Sequence, residues 1–506
     1  MSVDSAKSSS YRSILKSSSI MGSSQGVSYL IGLFRTKFLA VLLGPTGVGI
    51  VGTFQALVVL LGVLTRCGID SSAVREIAAE KERGGEGEGR TIAVVRKLAW
   101  ISSFLGICLS TVFASLLSRY LFDSDKFTWA IAALGFGVAL VSFASAQKAV
   151  LRGRRSVAEL AKIGVGSAFL STIVAIGLYK ILGLQGIAPV IICSSAISLI
   201  LTWIFFRRIE YTHVSISWIE SLCGAKVLLA IGITFMWSAL LTACVTFFLR
   251  AEVIRELGQV SSGIYQAAFG LSALFARFIL QAMSTDYYPR LTEVSEDDEK
   301  VNASVNEQTE IGLLIGLPGL IGMMAFAQWL VPLFYSAEFG QASALIPWFI
   351  VGVYIQLISW PIGFIQQAKG SVLWLFISQT LANVILLGLS LWLMRELGLA
   401  GLAIAFASMY LTHLIIVYLI GSFLSGFKWS VSVLRILLVS AILVFLTFAL
   451  VKFTNPICSA LLGVPIVFFT GVFSLRTLCD RVGEHPLILK LLKVPGLSFL
   501  LMYRRF

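Results

Sequence analysis

Two cations, Arg35 and Lys37, interrupt the apolar stretch GLFRTKFLAVLLGPTG, Gly32 to Gly47. A cation at the centre of a spanning helix costs roughly 2.5–3.5 kcal/mol, and less toward its ends. A guanidinium retained at that cost suits an anion, and phosphate best, because its planar fork meets two oxygens at once. Gln25, Ser28, Gly32 and Arg35 recur at three- and four-residue steps, so they share one helical face, with Tyr29 beside it. Such a small, polar stripe favours water or protein over acyl chains. Lys37 points elsewhere and is expected to snorkel to the outer interface.

Three further arginines are candidates for the same work. Arg250 follows ITFMWSALLTACVTFFLR, in which Thr234, Ser238, Thr242 and Thr246 stand at four-residue spacing. Arg277 lies deep in FGLSALFARFILQAMS, with no acidic residue close in sequence, and Arg66 lies near the inner end of the second apolar run. The competing reading for each is interfacial snorkelling or a local ion pair, and Glu252 and Arg255 strengthen it for Arg250. The expected substrate-binding set is therefore Arg35, Arg250, Arg277 and Arg66 with Gln25, Ser28 and Tyr29. No catalytic, cofactor or metal site is expected. His213, His413 and His485 belong to no ligand motif, and the seven cysteines show no CxxC spacing. Trp237, Tyr265, Trp348, Tyr354 and Trp360 could stack on sugars, although interfacial anchoring or packing accounts for them more readily.

The elements that position these residues are membrane helices. The chain has 506 residues, 57% of them hydrophobic and 13% charged, with mean hydropathy +0.90. One soluble core could not hide that much apolar surface. A crossing needs roughly 20 mostly apolar residues, and about fourteen runs qualify. They are 18–43, 47–67, 95–117, 128–148, 162–182, 186–206, 227–249, 260–284, 309–331, 343–366, 371–393, 400–421, 432–452 and 457–475. The Ser-rich N-terminus reads as a cytoplasmic tail rather than a signal peptide. The C-terminal HPLILKLLKVPGLSFLLMYRRF reads as an interfacial amphipathic segment.

The net charge of +13 is explained by topology. Lys148, Arg152, Arg154, Arg155 and Lys162 cluster on one side, as do Arg75, Lys81, Arg83, Arg90, Arg96 and Lys97. The other side is sparse in cations, which is the positive-inside bias with both termini cytoplasmic. A nucleic-acid partner is accordingly not expected. The acidic EVSEDDEK near the midpoint reads as a solvated linker.

The chain repeats itself at an offset of about 214 residues. Gly44 and Gly49 align with Gly258 and Gly263, Arg35 with Arg250 and Arg75 with Arg290. FDSDKF (Phe122 to Phe127) aligns with FYSAEF (Phe334 to Phe339), and GLQGIA (Gly183 to Ala188) with GLAGLA (Gly398 to Ala403). Such an offset spans about six helices, an even number, so the halves share one orientation as parallel repeats. The expected architecture is all-α and polytopic, with two six-helix lobes and a further C-terminal helix pair. Residues 1–215 would form the first lobe, 216–425 the second, and 426–506 the extra helices and tail.

LLGPTGVGIVGTFQALVVLLGVLTRCGIDSSAVREIA and SSGIYQAAFGLSALFARFILQAMSTDYYPRLTEV resemble the lobe-opening signatures of Wzx-type polysaccharide flippases. That family belongs to the multidrug/oligosaccharidyl-lipid/polysaccharide exporter superfamily, and the resemblance covers about 420 residues. It implies lobes set in a V around a central cavity. It also implies alternating-access movement of undecaprenyl-diphosphate-linked oligosaccharide to the periplasmic leaflet of the bacterial inner membrane, for O-antigen or exopolysaccharide synthesis. SYLIGLFR, Ser28 to Arg35, is similar to the first helix of lipid II flippases, whose matching final arginine faces the cavity; Tyr29 stands where those relatives carry another arginine. The implied partners are the lipid-linked oligosaccharide, the bilayer and the polysaccharide polymerase and chain-length machinery, with the protein itself a monomer. A cation-coupled drug exporter of the same superfamily is the main alternative. It would need carboxylates inside helices, whereas Asp70, Asp286 and Glu310 read as helix-end residues near the cytoplasm. A membrane polymerase or ligase would need a large outer loop with catalytic groups, and none is evident.

Overall fold

Gly44 and Pro45 show how this chain punctuates its helices. Gly44 takes a left-handed backbone (φ 62°) inside a helical segment running Val3–Arg66. Pro45 then opens the next helical arm, where a missing amide proton costs nothing. Gly258 does the same (φ 87°) inside Trp218–Glu293. These two breaks fall at the residues that the repeat aligns.

The computed structural model describes residues 3–83, 86–212 and 214–482. Its helices are α1 (Val3–Arg66), α2 (Ile69–Arg83), α3 (Gly87–Val112), α4 (Ala114–Phe122), α5 (Thr128–Gly153), α6 (Val157–Leu182), α7 (Ile187–Phe206), α8 (Trp218–Glu293), α9 (Asp298–Ala325), α10 (Ala327–Phe334), α11 (Ala342–Ala368), α12 (Val372–Leu397), α13 (Leu399–Ser425), α14 (Val431–Phe453) and α15 (Pro456–Val482). Among the described residues there is no strand. Eleven segments among them are long and apolar enough to cross a membrane, so the chain is an all-α polytopic membrane protein. The expected C-terminal amphipathic segment, His485 and His213 lie outside the described residues.

Local signals set the helix ends. Ser217 and Glu220 exchange hydrogen bonds to each other's amides (2.8 and 3.1 Å), a reciprocal cap at the start of α8. The Ser217 amide's bond to the Glu220 carboxylate holds that carboxyl below its usual range. Ser430 caps α14 and Asp297 caps α9 through their side-chain oxygens. Gly183 and Gly398 end α6 and α12 with nearly the same backbone (φ 56° and 59°). Two expected spans are cut short. The run 95–117 breaks at Phe113, whose amide closes α3 on Leu109, and 309–331 breaks at Phe326, whose amide closes α9 on Gly322. Each break leads into a short helix, α4 or α10, and then a single 3-10 turn at Asp125–Phe127 or Ala337–Phe339. The repeat therefore extends to irregular backbone, not only to apolar patterning.

Packing divides the chain into two compact units. One holds Met1–Gln266 with Leu333–Phe339, the other Ala267–Pro332 with Gly340–Phe506. In the first, α3 and α5 approach through small residues: a Cβ on Gly135 would stand 2.9 Å from the Ile107 Cα. An apolar cluster of Ile69, Ile77, Ile92, Leu98, Val150 and Leu228 ties α2 to α3, α5 and the start of α8. Beside it, Arg154 forks onto Glu88 (2.5 and 2.8 Å), with both side chains about 15% exposed. In the second unit α13 lies against α11 and α12, while α9 carries α14 and α15. The turn from α13 to α14 is clamped to α9. Asn306 Nδ2 donates to the Lys428 carbonyl (3.1 Å) and its Oδ1 accepts the Ser430 amide (2.8 Å).

Candidate functional site

Arg35 lies in the first arm of α1, half-buried, and reaches across to α7. Its Nη2 donates to the Ser194 Oγ at 3.4 Å, and the buried Tyr179 hydroxyl of α6 lies beside the guanidinium. One turn further along α7, the Ser198 Oγ accepts from the Lys148 Nζ of α5 at 2.8 Å. Serines four apart on a helix are separated by about 6 Å along its axis. Two cations are thus each held by a neutral hydroxyl, on serines one helical turn apart. Among the described residues no carboxylate pairs with either.

That arrangement has an energetic consequence. Taking the two charges as roughly 6–10 Å apart at an effective dielectric of 20, they repel by about 2–3 kcal/mol. Serine oxygens satisfy hydrogen bonds but do not neutralise charge. An anion with two charged oxygens groups would turn the repulsion into attraction. Arg35 offers it a planar fork and Lys148 a movable point charge.

Of the stripe below Arg35, Ser28 lies against α6, while Gly32 has open space beside it. Ser28 bonds back to the Ser24 carbonyl (2.8 Å), and a Cβ on Gly164 of α6 would lie 3.8 Å from the Ser28 Oγ. Gln25 and Tyr29 are half-buried on the same arm. An open groove of about 510 Å³ runs between α1 and α6 here, lined by Ser23, Ser24, Val27, Lys162 and Val165. Arg35, Ser28 and this groove therefore share the α1–α6 contact.

The other candidate arginines have separate fates. Arg66 pairs with Asp70 at 2.8 Å across the Cys67–Gly68 turn. Arg250, half-buried in α8, donates to the Gly52 carbonyl. Arg277, in the second unit, is exposed, and its Nε donates to the Ala273 carbonyl of its own helix at 3.3 Å. Glu310, expected at a helix end, lies inside α9 and is buried. Lys148 is the residue that sequence reasoning assigned to the cytoplasmic cation cluster alone. Its partner Ser198 was not singled out in the sequence; the available signal is the row of hydroxyls Ser194, Ser198 and Thr202 at four-residue spacing in α7. His413 is half-buried in α13, and no metal-binding group occurs among the described residues.

Residues 38–344 match the polysaccharide biosynthesis protein family, and the chain belongs to it. It is 24% identical over 408 residues to the lipid III flippase of Escherichia coli (strain K12), covering 76% of this chain and 92% of that protein. Two solved structures share the fold. An inward-facing multidrug resistance MATE family transporter of the MOP superfamily superposes with TM-score 0.69 at 18% identity, over 79% of this chain and 95% of that one. The lipid II flippase MurJ, in an inward closed conformation, superposes with TM-score 0.66 at 15% identity, over 91% of this chain and 99% of that one. The relatives are named for transport and not for catalysis.

Proposed function

We propose that this chain is a flippase for a lipid-linked oligosaccharide, moving its diphosphate-bearing head group from the cytoplasmic to the outer leaflet by alternating access. The observation that carries the reading is the carboxylate-free pair of Arg35 and Lys148, held by hydroxyls within a membrane bundle. A head group of that charge cannot cross hydrocarbon unaided, and two apposed cations supply the compensation along the route. The similarity to a lipid III flippase supports a polyprenyl-diphosphate carrier, and membership of a polysaccharide biosynthesis family supports a glycan cargo. An O-antigen or exopolysaccharide repeat unit is the cargo we assign, with polymerase and chain-length proteins acting next.

Arg277 serves the same cargo in this proposal. An exposed guanidinium in a spanning helix is tolerated where water or an anion meets it, and not against acyl chains. The proposed topology has fourteen crossings. Gly22–Arg66, Val157–Phe206 and Met236–Leu274 contain 45, 50 and 39 residues, or about 58–75 Å of helix, against a hydrocarbon core of about 30 Å. Each is long enough to cross twice. The lobes are 1–215 and 216–425, with 426–506 appended, both termini are cytoplasmic, and the membrane is the bacterial inner membrane.

The test is leaflet accessibility of lipid-linked oligosaccharide in cells lacking the protein. Accumulation of the precursor on the cytoplasmic side supports the proposal, and normal arrival at the outer leaflet overturns it. A second reading, a cation-coupled exporter, draws on the buried carboxylate of Glu310 in α9. It predicts that Glu310→Gln abolishes transport while Lys148→Met does not.

A further inference from the structure

Within the first unit, segments from the two sequence repeats meet along a seam. The second arm of α1, from Pro45, crosses the part of α8 that follows Gly258, and their backbones touch. A Cβ on Gly49 would stand 2.7 Å from the Gln259 carbonyl oxygen and 2.8 Å from the Gly263 nitrogen; one on Gly263 would overlap the Pro45 carbonyl. Gly49 and Gly263 are the residues that the repeat aligns, so equivalent positions meet as in an isologous interface.

Polar contacts fasten the seam; the Arg255–Glu252 bond runs within α8, and the others join one repeat to the other. The Tyr120 hydroxyl of α4 donates to Glu252 Oε1 at 2.7 Å. Arg255 Nη1 donates to that same oxygen at 2.8 Å, and its guanidinium lies 4.7 Å from the centre of the Tyr120 ring. Arg250 bonds the Gly52 carbonyl. The Glu338 carboxylate sits against Gly44, 3.0 Å from where a Cβ would be. Burial and the neighbouring Glu252 carboxylate push the Tyr120 hydroxyl up from its ordinary range, so it remains a donor. Beside this cluster opens a pocket of about 650 Å³ lined by Arg119, Tyr120, Arg255, Glu256 and Gln259.

We infer that this seam is a releasable outer gate and that Glu252 is its catch, holding Tyr120 of the first repeat to α8 of the second. The outer assignment rests on the orientation given under the proposed function. Three features make the seam separable. Glycine-lined backbones part without repacking interlocked side chains. The fastening bonds exchange with water at small net cost. The adjoining pocket gives water access to the catch.

Ser262 provides the probe. It is 2% exposed, and its Cβ lies 3.2 Å from the position of a Gly49 Cβ. Ser262→Cys, in a chain whose native cysteines are replaced, is reached by a membrane-impermeant maleimide only when the seam parts. In sealed vesicles we expect slow labelling from the outer side, accelerated about tenfold by Tyr120→Phe or Glu252→Gln and little changed by the conservative Arg255→Lys, which keeps the cation beside Glu252; tenfold corresponds to about 1.4 kcal/mol. Val260→Cys, at a half-exposed position, labels equally in every background and reports folding. Tyr120→Phe removes a single oxygen, which keeps the test readable should the Glu252 variant accumulate poorly. Equal Ser262→Cys rates with and without Tyr120→Phe overturn the inference. Acceleration only from the cytoplasmic side overturns the outer assignment. Neither readout uses the cargo, so failure of the flippase reading is detected separately.

Discussion

Lys148→Met separates an anion site from a structural lysine. In the folded chain Lys148 meets Ser198 at 2.8 Å while Arg35 meets Ser194 at 3.4 Å, with no carboxylate between them. Removing one of the two charges relieves the repulsion of about 2–3 kcal/mol worked out above. The unliganded variant is therefore expected to melt at a higher temperature than the parent. Removing the charge also deletes a charge-assisted hydrogen bond to any bound phosphate, worth about 1.5–3 kcal/mol, or a roughly 10- to 100-fold weaker response. The assay is thermal unfolding of the detergent-purified protein across a titration of inorganic diphosphate. The parent should gain stability with diphosphate, and the variant should start higher and need 10- to 100-fold more ligand. A variant that melts below the parent and responds to diphosphate at unchanged concentrations would refute the two-cation site.

Three further outcomes follow from other parts of the fold. Glu88→Ala strands the largely buried Arg154 guanidinium, at a cost of about 3–5 kcal/mol, and should lower both melting temperature and membrane accumulation. Asn306→Ala severs the clamp on Lys428 and Ser430; limited proteolysis should nick 426–430 faster, with transport retained. Gly183→Ala and Gly398→Ala each force an alanine into a left-handed backbone (φ 56° and 59°) at about 1–2 kcal/mol, and matched losses of melting temperature would show that the two repeats use this turn alike.

Much of the fold was legible because lipid imposes long apolar runs, and glycine marks where they bend. Gly44, Gly258, Gly183 and Gly398 were all picked out by the repeat, and all four adopt left-handed backbone. The breaks at Phe113 and Phe326 were not legible, since an apolar run carries no mark of where a helix stops short of the interface. Arg35 stood out because a cation in apolar sequence is conspicuous. Lys148 did not, because it stands among a run of basic residues, and only the fold reveals that it bonds Ser198. The Arg66–Asp70 pair follows from i,i+4 spacing. The hydrogen bond from Arg250 to Gly52 joins residues far apart in sequence and needed coordinates.

The most direct measurement is made on the purified chain in proteoliposomes loaded with a fluorescent undecaprenyl-diphosphate oligosaccharide. A membrane-impermeant quencher reads the fraction of head groups in the outer leaflet over time. Wild-type vesicles should bring head groups from the inner leaflet into the quencher's reach, and vesicles carrying Arg35→Ala with Lys148→Met should do so no faster than protein-free ones. Equal exchange in wild-type and protein-free vesicles would contradict a flippase, and undiminished exchange in the double variant would contradict the cation pair as its diphosphate site.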